Sequence, residues 1–127
     1  MEKLFDSELK VMAPLWEGGP QTAGELAKRL AAAVGWNRNT TYTVIKKLID
    51  KGAVSRSDPG FLCTPLVTRE EVQRQETDSL ISRLFGGSAT QFLSAFLSER
   101  DLTPAEADQL RELIGSFSRE KENQKER

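Results

Sequence analysis

Apolar residues recur at helical spacing from Asp6 to Asp50, and each run is closed by turn-forming residues. The first stripe is Leu9, Met12, Ala13 and Trp16, with Asp6 or Ser7 as the candidate cap and Glu17-Gly18-Gly19-Pro20 as the stop. Thr22-Ala23-Gly24-Glu25 reads as a capping box, in which the Thr hydroxyl takes the third amide and the Glu returns to the cap. Ala23, Leu26, Ala27, Leu30 and Val34 form the second stripe, and Gly35 closes it. Asn37 then caps a third helix that Gly52 ends. At 100° per residue, Thr41, Val44, Ile45 and Leu48 fall on one side of this helix, and Asn39, Tyr42, Thr43 and Lys46 on the other. One side docks; the other is free to read.

The second and third predicted helices are joined by a very short connection, and the third is polar on its N-terminal outer face. That layout predicts a helix-turn-helix. Ala53 to Arg56 and Phe61 to Leu66 read as short strands around Asp58-Pro59-Gly60, where Pro presets φ and Gly accepts the positive φ of a type II turn. The hairpin is a wing, so residues 1–67 are expected to form a winged helix-turn-helix domain.

A second module, residues 68–118, opens with the capping box Thr68-Arg69-Glu70-Glu71. Its first helix is polar up to Asp78 and apolar at Leu80, Ile81, Leu84 and Phe85, before Gly86-Gly87. A second helix, from about Ser88 to Ser98, carries Phe92, Leu93, Phe96 and Leu97. A third, with Thr103 as cap and Pro104 at its first position, carries Leu110, Leu113, Ile114 and Phe117. Three helices of about ten to fifteen residues cannot bury these stripes within one small unit. A three-helix dimerisation module is therefore expected, with a second copy of the chain as partner. From Arg119 to Arg127 the tail is nearly all charged or amide-bearing and reads as disordered. The predicted fold class is mainly α.

The net charge of −1 gives no hint of a polyanion partner, but its distribution does. Up to Val67 there are nine basic and seven acidic residues, and between Trp36 and Arg56 five basic residues face a single acid, Asp50. Local charge sets the field at a groove. The sequence has no His and one Cys, which removes most metal and nucleophilic chemistry, so no cofactor or metal is expected. Cys63, between Leu62 and Thr64, reads as a small buried hydrophobe in a strand. Charge interrupts every apolar stretch, and no signal-peptide pattern is seen, so the expectation is a soluble cytoplasmic protein without a membrane span.

The residues expected to meet DNA are Arg38, Asn39, Tyr42, Thr43 and Lys46 at the major groove, with Thr40 beside the cap counted among them. Arg56 in the wing and the amides near Thr22 are expected at phosphate. A winged helix can instead serve as a protein-interaction module, and the basic-to-neutral charge of the reading face is the discriminator. An enzyme is not expected, since only scattered carboxylates remain as catalytic candidates.

Several segments together resemble the penicillinase-repressor family of bacterial transcription repressors (BlaI/MecI/CopY type). They are Glu8-Leu9-Lys10-Val11-Met12 with Leu15-Trp16, Thr40-Thr41-Tyr42-Thr43-Val44-Ile45-Lys46-Lys47-Leu48 with Lys51-Gly52, Thr64-Pro65-Leu66-Val67, Gly86-Gly87 and Leu102-Thr103. The resemblance implies a homodimer on a two-fold double-stranded DNA operator, controlling resistance or stress genes. It also implies inactivation by cleavage in the C-terminal module, and so a regulatory protease as a partner. Three positions depart from the pattern. Phe5 stands where a Ser or Thr cap is usual, leaving the cap to Asp6; Ala95-Phe96 replaces the Asn-Phe at which related repressors are cut; and the Cys-rich tail of the copper-responsive branch is absent.

Overall fold

The computed structural model describes residues 1–125, in the order α1 (Asp6–Gly18), β1 (Gln21–Thr22), α2 (Ala23–Val34), α3 (Arg38–Asp50), β2 (Val54–Ser57), β3 (Leu62–Pro65), α4 (Arg69–Phe85), α5 (Ala89–Ser98) and α6 (Pro104–Lys125). The chain divides into two compact units, Met1–Ser79 and Leu80–Arg127. The first is a winged helix-turn-helix in which α1, α2 and α3 enclose one core against a three-stranded antiparallel sheet of order β1-β3-β2.

Local chemistry explains the helix boundaries. Asn37 Oδ1 accepts the Thr40 N–H at 2.8 Å and caps α3, and Thr22 Oγ1 accepts the Glu25 N–H at 3.1 Å and caps α2. Gly35 takes φ +73° at the end of α2, a backbone that side chains resist, and this permits the short turn into α3. At α1 the expected Asp6 cap is not used. Phe5 holds the cap position and offers no side-chain hydrogen bond, while the Glu8 carboxylate accepts the Phe5 N–H at 2.8 Å. Glu8 reaches back because it is the third residue of the helix, one turn from the cap, and it is itself buried.

That burial also rotates the α1 stripe. Glu8, Val11, Met12 and Leu15 are buried, whereas the expected Leu9, Ala13 and Trp16 sit at the core margin. In α2, Val34 lies outside the core with 40% of its surface exposed, because Gly35 ends the helix one residue later. The docking face of α3 is as read from the pattern, with Thr41, Val44, Ile45 and Leu48 all buried.

The sheet contains one strand the pattern did not signal. Gln21 and Thr22 pair with Cys63 and Leu62, and the buried Gln21 amide donates to the Pro14 carbonyl at 2.8 Å. The wing tip also differs from the expected type II turn. The Asp58–Pro59 peptide is cis, and both Gly60 and Phe61 have positive φ, 97° and 52°.

Val72 of α4 is buried in the N-terminal core, so the first compact unit extends past the wing into α4. In the second unit, Phe85 and Phe92 meet edge to face at 5.7 Å, and Phe92 lies 6.0 Å from Phe96. None of its described side chains is buried. Two of the three helices exceed the expected lengths, since α4 has 17 residues and α6 has 22, while α5 has 10. Residues 119–125, expected to be disordered, continue α6. Their Arg, Glu, Lys and Gln side chains are strong helix formers, which a charge count alone overlooks. Residues 126 and 127 lie outside the described part.

Candidate nucleic-acid interface

The α3 helix presents Arg38, Asn39, Thr43 and Lys46 as exposed side chains. Arg38 and Asn39 lie in the capped first turn, where unpaired amides and the macrodipole favour anionic groups, and Thr43 and Lys46 follow further along the helix. Thr40 is spent on the cap, its hydroxyl donating to Asn37 Oδ1 at 3.0 Å.

Tyr42 is half-buried, unlike its neighbours on this face. Its ring meets the edge of Phe61 from the wing, with centroids 5.6 Å apart and planes at 83°. Its hydroxyl accepts a hydrogen bond from the Arg38 guanidinium at 2.8 Å, and that guanidinium lies 5.0 Å from the Tyr42 ring centroid. On the far side, the Arg56 guanidinium stacks 3.7 Å from the Phe61 ring centroid and donates through Nε to the Asp58 carboxylate at 3.2 Å. Arg38, Tyr42, Phe61 and Arg56 therefore form a continuous ladder from reading helix to wing. Two cations stand at its ends, and an aromatic pair fixes their separation.

Phe61 is the member of this ladder that sequence reasoning missed. The sequence marks it as the first residue of the second wing strand, and no periodicity signals an aromatic whose partner lies nineteen positions upstream. Its carbonyl also accepts the Ala23 N–H at 2.9 Å, tying the wing to the start of α2. This bears on Thr22. The Ala23 and Glu25 amides already have intramolecular acceptors, and the Thr22 hydroxyl donates to the Glu25 carboxylate at 3.1 Å. The α2 N-terminus offers phosphate less than its capping sequence suggests.

The basic window contracts as well. Lys51 Nζ lies 2.6 Å from Glu8 Oε1 and 2.7 Å from the Lys3 carbonyl, and only 13% of its side chain is exposed. It anchors the end of α3 to α1 and takes no part in an outward field. Arg56 is exposed but shares its charge with Asp58. Arg38, Lys46 and Lys47 remain as exposed cations of α3. Cys63 is fully buried opposite Arg56 in the sheet, and burial pushes its thiol pKa up despite the nearby guanidinium. Among the described residues no group of three or more Cys, Asp or Glu converges to hold a metal ion. No described helix is long and apolar enough to cross a membrane.

Known proteins share this architecture and sequence. The penicillinase repressor of Bacillus licheniformis is 25% identical over 114 residues, covering 88% of this chain and 89% of that protein. The solution structure of the DNA-binding domain of the repressor BlaI superposes with a TM-score of 0.51 at 30% identity, over 56% of this chain and 93% of the domain. The Bacillus licheniformis BlaI monomer, solved in complex with the blaP half-operator, gives 0.50 at 29% identity, over 55% of this chain and 88% of that one. The model of the Penicillinase repressor family matches residues 4–116, and the chain belongs to that family.

Proposed function

We propose that this protein is a DNA-binding transcriptional repressor, acting without catalysis in the cytoplasm on an inverted-repeat operator as a homodimer. One observation carries the reading. The exposed face of α3 begins at a capped helix N-terminus, is flanked by a wing arginine, and belongs to a fold shared with a relative solved on its half-operator. In this reading Arg38, Asn39, Thr43 and Lys46 meet base edges and phosphates in the major groove, while Tyr42 holds Arg38 in place. Asn39 pairs with adenine, and Thr43 touches a thymine methyl. Arg56 contacts a phosphate from the wing.

The second unit supports a second copy. Leu84 is 68% exposed and Phe117 55%, and Leu93, Phe96, Leu113 and Ile114 are exposed as well. Soluble monomers rarely leave so many large apolar side chains uncovered. Leu80, Phe85, Phe92, Leu97 and Leu110 are only half-buried within the chain, and together with the exposed set they furnish the dimer seam. The name of the Bacillus licheniformis relative supports a resistance gene as the target.

Selection from a random duplex library by the full chain, followed by fluorescence anisotropy, tests this reading. The expected result is an enriched inverted repeat with half-sites about one helical turn apart and a Kd in the range of about 10⁻⁸ to 10⁻¹¹ M at physiological salt. Equal affinity for every duplex would overturn it.

A further inference from the structure

The start of α4 is fastened to the winged unit by contacts that the reading helix does not need. The Trp16 indole Nε1–H, in the last turns of α1, donates to the Val67 carbonyl at 2.9 Å, across 51 residues of sequence. Val67 immediately precedes Thr68, whose hydroxyl caps α4 by accepting the Glu71 N–H at 3.0 Å. Arg69, the first residue of α4, lies 5.5 Å from the Trp16 ring centroid and pairs with Glu17 at 3.6 Å. One turn on, Val72 is buried in the core, and Gln75 Nε2 donates to the Met1 carbonyl at 2.7 Å. None of these residues belongs to α3 or to the wing hairpin.

A buried valine alone would hold α4 against the core. The indole hydrogen bond adds direction, because it fixes the carbonyl of the peptide from which the helix departs, and hydrogen bonds are angle-dependent where apolar contacts are not. α4 then runs from Arg69 to Phe85. In a symmetric dimer, the direction in which that helix leaves each winged unit sets the distance and angle between the two reading helices.

We propose that Trp16 is a positioning residue for operator geometry: its indole hydrogen bond to Val67, seconded by Arg69, fixes the exit of α4 and so sets which half-site spacing the dimer accepts. The proposal rests on the reading of the protein as a dimer on an inverted repeat. It separates two properties that a single affinity hides. The reading helix decides which half-site is bound, and the latch decides how far apart two half-sites may lie.

The test uses the full chain as wild type, Trp16→Phe and Arg69→Gln. Phe keeps an aromatic ring at the core margin while removing the donor and the second ring of the indole, and Arg69→Gln tests the same latch from a partly exposed position if Trp16→Phe folds poorly. The probes are the duplex selected by wild type, its isolated half-site, and versions with one or two base pairs inserted or deleted between half-sites. Binding is read by anisotropy, with dimerisation checked by sedimentation. Wild type is expected to bind one spacing best. Both variants should hold the half-site within twofold and show a flattened dependence on spacing; Trp16→Phe should bind the best-spaced operator about fivefold more weakly, as the loss of one net hydrogen bond implies, and Arg69→Gln, which loses a solvent-screened ion pair and a ring contact, by less. A spacing profile identical to wild type in both variants overturns the proposal, as does an equal loss on half-site and full operator. A wild-type chain that binds the half-site but gains nothing from the second one overturns the dimeric reading, and the proposal with it.

Discussion

Replacing Tyr42 by Phe removes one oxygen and leaves the ring that packs on Phe61. The lost hydroxyl is the acceptor that holds the Arg38 guanidinium at 2.8 Å. Arg38 is solvent-exposed, so the bond adds little to folding, and the unfolding free energy should stay within about 0.5 kcal/mol of wild type. The effect falls on binding. A free arginine must be ordered when it meets DNA, at about 0.5–1.5 kcal/mol for a side chain rich in rotamers, and the tyrosine has done part of that ordering beforehand. Tyr42→Phe should therefore weaken operator binding about two- to tenfold. A double-mutant cycle with Arg38→Ala, read by anisotropy on the selected operator, separates the possible causes. If Tyr42 acts through Arg38, Tyr42→Phe has no further effect once the arginine is gone. An equal loss in both backgrounds would refute the ladder and restore Tyr42 as a residue that touches DNA itself.

Four further outcomes are expected. Asn39→Ala should cost about 1–3 kcal/mol on the operator and relax preference at one base position, as a specificity selection would reveal. Arg56→Ala should weaken all duplexes alike and reduce the slope of log K against log salt by less than one unit, because Asp58 already shares its charge; an unchanged slope would place the wing away from phosphate. Lys51→Met leaves the Glu8 carboxylate, whose side chain is 2% exposed, with one hydrogen-bonded oxygen and one unpartnered, and should lower stability by about 3–5 kcal/mol in urea unfolding. Phe96→Asp should yield a monomer in sedimentation that retains half-site binding.

Much of the winged unit was legible because its determinants are local. Asn37 with Thr40, Thr22 with Glu25 and Thr68 with the Glu71 amide each act across three residues, so a sequence window contains both partners. The α3 docking face was equally accessible, since one helical period places all four of its residues. In α1 and β1, where the reading slipped, the deciding partner lay far away in sequence. The α1 stripe turned because Glu8 answers Lys51, 43 positions on, and an apolar template cannot anticipate a buried carboxylate. Strand β1 escaped notice because two residues have no periodicity, and only Cys63 and Leu62 give them a ladder.

The same distinction governs the candidate interface. A helical wheel lists which side chains share a face, but their roles depend on what each meets after folding. Asn39 and Tyr42 lie on the same side of α3, and by periodicity they are equivalent readers. Phe61 breaks the equivalence by drawing the Tyr42 ring partly into the fold and leaving its hydroxyl to hold Arg38, so tyrosine becomes support and asparagine stays exposed. Charge behaves likewise. Of the five basic residues counted between Trp36 and Arg56, Lys51 and Arg56 are engaged by Glu8 and Asp58, which lie outside that window. The field offered to a phosphate backbone is accordingly carried mainly by the exposed cations of α3, and Arg56 adds from the wing a charge that it shares with Asp58.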